Sequence, residues 1–98
     1  MKICWTEEAL RRLSEIESYI AQGSPENAIR FVVKLVQRTK ALTVFPQSGR
    51  LVPEFKTGDF RELIEGNYRI VYKIKDQLIE IYTVFEGHKL LTEKDLKK

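Results

Sequence analysis

The residues best suited to chemistry cluster in Phe60-Arg61-Glu62-Leu63-Ile64-Glu65-Gly66-Asn67-Tyr68-Arg69-Ile70-Val71-Tyr72-Lys73-Ile74. This segment reads as two strands joined by a tight turn, which puts Arg61 and Arg69 on one small sheet. Arginine is permanently charged and presents a planar fork of donors, so it suits phosphates and carboxylates. With Val71 and Lys73 beside them, the two arginines suggest a sheet face that meets an anionic partner. Later in the chain, Glu86-Gly87-His88-Lys89 adds a carboxylate, an imidazole and an amine.

Arg61, Arg69, His88 and Lys89 are the side chains here that could meet an anion or move a proton. A plainer reading is also available. Each arginine can pair with Glu62, Glu65 or Glu80 across the sheet, an arrangement worth about 0–1 kcal/mol when exposed. His88, near the end of the last strand, then reads as a solvated histidine. We read Arg61, Arg69, Val71 and Lys73 as structural or partner-contact residues and favour no catalytic assignment.

The elements that must position these groups follow from the patterning. Residues 2–5 form a first short strand, and Thr6 caps a helix over about 7–22. Leu10, Leu13, Ile16 and Ile20 make its apolar stripe. Gly23 ends it, and Ser24-Pro25 starts a second helix to about 44. Ala28, Phe31, Val32, Leu35 and Leu42 supply the buried side of that helix, while Val33, Val36 and Val44 widen its apolar surface. Pro46, Gly49, Pro53 and Gly58 punctuate a loop-rich stretch over 46–59. Strands follow at 60–65, 68–74 and 78–85.

In the middle strand, Tyr68, Ile70, Tyr72 and Ile74 share one face, expected to cover the helices. Arg69, Val71 and Lys73 share the other, expected to be open. In the last strand both alternating sets contain apolar residues, so the pattern does not choose a face. Residues 86–98 read as a polar, lysine-rich tail, either one or two helical turns or mobile. The predicted fold is a single α+β domain over 1–98, ordered β-α-α-β-β-β, with a helical hairpin on one face of an antiparallel sheet.

Composition sets outer bounds. The chain has 98 residues, 43% hydrophobic and 32% charged, which suits one globular domain with a modest core. Its net charge of +3 is mild and spread along the chain, less than a free DNA-binding module usually carries. One cysteine, Cys4, permits no internal disulfide, and with one histidine there is no zinc-binding cluster. No metal or cofactor is expected. No run approaches the roughly 18 apolar residues of a membrane span, and the N-terminus lacks a leader pattern, so no membrane partner and a cytoplasmic location are expected.

Read in order, these segments resemble the RelE/ParE superfamily of bacterial type II toxins. Trp5-Thr6, Ala9-Leu10, Leu13, Ile16, Tyr19 and Ile20 look like its opening helix. Ser24-Pro25-Glu26-Asn27-Ala28 with Phe31 resembles the start of the second. Phe45-Pro46-Gln47-Ser48-Gly49-Arg50-Leu51-Val52-Pro53-Glu54 is similar to the P-x-x-G-R-x-V-P-E segment of the ParE branch. Arg61-Glu62-Leu63 and Tyr68-Arg69-Ile70-Val71-Tyr72 match its R-E-L and Y-R-I-V-Y strands.

The resemblance implies a cytoplasmic toxin neutralised by a cognate antitoxin. ParE-type members bind DNA gyrase and block its cycle without being enzymes; RelE-type members cut messenger RNA on the ribosome. This chain departs from the nuclease pattern. It has no tyrosine after Tyr82, its loop before residue 60 carries only Lys56, and it reads Glu86-Gly87-His88-Lys89 where H-G-R-R is common. The ParE-like reading therefore leads, with gyrase as target. A ribosome-dependent nuclease acting on mRNA is the alternative; for it the resemblance implies Arg61, Arg69, His88 and Lys89 as the groups that activate the 2′-hydroxyl, meet the developing phosphorane and protonate the leaving oxygen. A member that has lost toxicity is a third reading. The broad apolar surface of the second helix would also permit a homodimer.

Overall fold

Thr6 sets where the first helix begins. Its hydroxyl accepts from the Ala9 N–H at 3.1 Å and donates to the Tyr82 carbonyl at 3.0 Å, so the cap also ties the helix to the sheet. The computed structural model describes residues 1–55 and 58–87. It contains β1 (Lys2–Trp5), α1 (Glu7–Gly23) and α2 (Pro25–Lys40), with Ser24 capping α2 through the Asn27 N–H at 3.2 Å. Beyond Lys40 the chain tightens into a single 3₁₀ turn at Ala41–Thr43, so α2 is shorter than its apolar pattern suggests. Then come β2 (Arg50–Leu51), β3 (Phe60–Glu65), β4 (Tyr68–Lys75) and β5 (Leu78–Glu86).

The five strands form one sheet in the order β1-β5-β4-β3-β2. β3, β4 and β5 make the expected antiparallel meander, joined by two-residue turns at Gly66-Asn67 and Asp76-Gln77. Gly66 (φ 57°) and Asp76 (φ 56°) take the left-handed backbone that such turns require. Two features are absent from the expected meander, of which the first breaks its all-antiparallel pattern. β1 pairs in parallel with β5, and a short β2 is added beside β3. β5 is therefore an interior strand rather than an edge.

The main core lies between the helical hairpin and one sheet face. Ala9, Leu35 and Leu42 meet Ile70, Tyr72, Ile79, Ile81 and Val84 there, with Leu13, Ile16 and Phe31 closing the margin. The other face is not open. Val52, folded back from the loop, buries Val71 and Phe85 together with Phe55 and Phe60. The expectation that Arg69 and Val71 stand exposed on this face is thereby corrected: they are 5% and 0% exposed, and Lys73 is half-buried. The physical reason is the apolar content of residues 52–60, which a bare sheet face would leave in water.

A β-bulge explains the ambiguity of the last strand. Tyr72 pairs with Ile81 and Val71 with Thr83, so Tyr82 is an extra residue opposite the β4 step. The insertion switches the alternation. Ile79, Ile81 and Val84 serve the helical core, whereas Phe85 serves the second cluster. Tyr82 leans its ring on Phe60 at 5.1 Å.

Candidate functional site

The two arginines do not share a face. In the β3–β4 ladder Arg61 stands opposite Tyr72, and Arg69 stands opposite Ile64. Residues 61 and 64 are an odd number of steps apart, so the side chains leave opposite sides of the sheet. Arg61 turns toward the helical side, where its guanidinium donates to the carbonyls of Gly49 (2.8 Å) and Gln47 (3.3 Å). The anion-binding face expected from the pair does not form.

Beside Arg61, Tyr72 completes a clamp on the same loop. Its buried hydroxyl donates to the Pro46 carbonyl at 2.8 Å and accepts the Gly49 N–H at 2.9 Å. Burial is the main cause that raises the Tyr72 pKa above its ordinary value, so the phenol stays neutral. Gly49 is required by proximity rather than by its turn. A Cβ there would sit 2.6 Å from the Tyr72 hydroxyl and 2.7 Å from the Glu62 carbonyl oxygen.

Arg69 lies on the second face and is filled from within the chain. Its Nη1 and Nη2 grip both oxygens of Glu54 at 2.8 and 2.7 Å, and its Nε donates to Glu62 at 2.6 Å. The guanidinium carbon also lies 5.0 Å from the Phe85 ring centroid. The hydrogen bonds that Arg69 donates to Glu54, and then to Glu62, outweigh desolvation and hold it more firmly protonated than usual. Glu62, with a side chain that is 0% exposed, takes a second donor from Arg50 Nε at 2.5 Å. The result is a chain of four charges, Glu54–Arg69–Glu62–Arg50, that ties the loop onto the sheet.

The Glu62 partner of Arg69 was among those expected; Glu54 was not. The signal for Glu54 is the Pro53-Glu54 ending of the loop motif, whose carboxylate needs a buried cation. Of the other expected acidic partners, Glu65 instead faces α2, near Lys34 (3.3 Å) and Arg38 (3.5 Å). Glu80 is 6% exposed and lies 3.4 Å from the Tyr82 hydroxyl. Lys73 places its amine 5.5 Å from the Phe60 ring centroid. His88 and Lys89 lie outside the described residues, as does the tail from residue 88 onward.

One further surface stands out. On α2, Ile29 and Val33 are 62% and 49% exposed, although the helix buries its opposite side. Arg30, Lys34 and Arg38 run beside them at four-residue spacing, giving an apolar stripe with a basic margin.

A helical hairpin over this five-stranded mixed sheet is an α+β fold that recurs in a solved structure. It aligns with a chain of the chromosomal ParDE toxin–antitoxin system from P. aeruginosa at a TM-score of 0.71, with 24% identity, over 88% of this chain and 95% of that one. Residues 3–91 match the family model for the ParE toxin of the type II toxin–antitoxin system parDE, and the chain belongs to that family. It is also 38% identical over 89 residues to a protein named toxin Y4kP from Sinorhizobium fredii, spanning 89% of this chain and 88% of the relative. Toxin RelE2 from Caulobacter vibrioides is 33% identical over 90 residues, spanning 91% and 98%. The protein is thus a type II toxin of the ParE/RelE superfamily.

Proposed function

We propose that this toxin acts in the cytoplasm as a non-enzymatic inhibitor of DNA gyrase and is neutralised by a cognate antitoxin. The observation that carries the reading is the state of Arg69. Its whole donor fork is engaged by Glu54 and Glu62, and Arg61 is turned to the opposite face. A phosphate-cleaving centre needs cations free to meet a developing charge at one place. Here both sheet arginines hold a loop, which supports action by binding rather than by cleavage.

The apolar stripe of α2 is the surface we assign to the antitoxin. An amphipathic segment laid along Ile29 and Val33 would bury them and meet Arg30, Lys34 and Arg38 with acidic side chains. Val71, buried beneath the loop, adds nothing to that contact.

Controlled expression in bacteria tests the reading. Within minutes, transcripts stay intact while the SOS response is induced and cells filament. Rapid transcript cleavage with intact DNA would replace the proposal with a ribosome-dependent nuclease.

A further inference from the structure

The sheet ends at β2 in an edge that carries more than a simple terminus needs. Val52 N–H donates to the Phe60 carbonyl at 3.0 Å, so in the antiparallel pattern Val52 and Arg50 face β3 with their backbone groups. Leu51, between them, turns its N–H and C=O outward. Its side chain, 49% exposed, leaves on the helical side, opposite Arg61.

In the segment that leads from the 3₁₀ turn to β2, Val44 and Phe45 are 69% and 67% exposed. They are not on a loose loop. Both N–H groups donate to the Ala41 carbonyl, Ser48 N–H donates to the Phe45 carbonyl, and Tyr72 holds Pro46. Residues 44–48 line a shallow hollow of about 380 Å³. Apolar groups held rigid in water lose little freedom when a partner covers them.

The other side of the edge presents a charge. Arg50 is aimed by its Nε bond to the buried Glu62, while its two terminal nitrogens have no partner among the described residues. An oriented guanidinium with an open fork receives a carboxylate well.

An extended strand laid along β2 would alternate its side chains between these two sides. We propose that the β2 edge is a docking site for an extended peptide segment of a partner protein in which apolar residues alternate with acidic ones. Its apolar side chains cover Phe45, Val44 and Leu51; its carboxylate meets Arg50; its backbone pairs with Leu51. The site is separate from the α2 stripe, and its test needs neither gyrase nor antitoxin.

The test is a titration of the ¹⁵N-labelled full chain with the blocked peptide acetyl-Thr-Leu-Glu-Leu-Glu-Leu-Thr-amide, followed by amide shifts. Saturable shifts are expected at residues 44–52, with at least tenfold weaker binding in Phe45→Ser and in Arg50→Gln. The same peptide with lysine in place of glutamate should not bind. Leu51→Thr serves as an independent apolar variant, and unchanged amide shifts outside the edge certify the fold of each. Three results would overturn the proposal: no saturable shift, shifts elsewhere that the variants leave intact, or concentration-dependent shifts at 44–52 without peptide, which would assign the edge to a second copy of the chain.

Discussion

Glu54 and Arg69 meet end-on, two nitrogens to two oxygens at 2.7 and 2.8 Å, and this pair joins the loop to the sheet. Because Arg69 also neutralises the fully buried Glu62, its removal affects more than one bond. Arg69→Ala should destabilise the fold by about 3–5 kcal/mol, as expected when a buried ion pair loses one member. Glu54→Gln, which keeps shape and one acceptor, should cost less, about 1–2 kcal/mol. Urea unfolding followed by circular dichroism measures both, and the predicted order is the informative part.

The Tyr72 clamp makes a second prediction. Tyr72→Phe removes the hydroxyl that bridges Pro46 and Gly49, leaving a buried N–H and carbonyl without it, for a loss of about 1–3 kcal/mol. Gly49→Ala should be at least as damaging, because the new methyl meets a ring hydroxyl and a backbone oxygen inside contact distance. Thermal unfolding of the two variants checks this.

Acid titration offers a third. Burial works to raise the Glu8 pKa, but hydrogen bonds from Arg12 and Arg11 prevail and hold it below its usual 4.5. A carboxylate depressed in the folded state contributes stability above its unfolded value and loses it as the pH falls through the lower folded value. Stability should therefore decline below about pH 4.5, with part of the decline absent in Glu8→Gln. An equally steep acid limb in that variant would remove Glu8 from the account.

The α2 stripe gives a fourth. Ile29→Asp and Val33→Glu alter exposed positions and should change stability by only about 0.5 kcal/mol. Binding to the antitoxin encoded beside the toxin should weaken by about 2 kcal/mol or more for each. Calorimetric titration separates the two effects.

The sequence made the element order legible because each boundary had a local cause: Thr6 and Ser24 as caps, Gly66-Asn67 as a two-residue turn. What it left hidden depended on pairings between distant residues. The parallel β1–β5 contact joins the two ends of the described chain, and the bulge at Tyr82 switches an alternation whose buried face the pattern left open. The cover over Arg69 and Val71 came from a loop whose motif was visible but whose return onto the sheet was not. A two-residue turn at Gly66-Asn67 fixes the register, and the register alone places Arg61 and Arg69 on opposite faces.

The most direct test of the central claim places purified toxin in two assays: gyrase supercoiling with detection of cleaved DNA, and ribosome-bound messenger RNA with mapping of cut sites. Inhibited supercoiling with trapped cleaved DNA and uncut message is the expected result. Message cut at defined positions, with cutting abolished in a folded Arg69→Lys variant, would contradict it, because Arg69 would then be meeting a phosphate and not only Glu54 and Glu62.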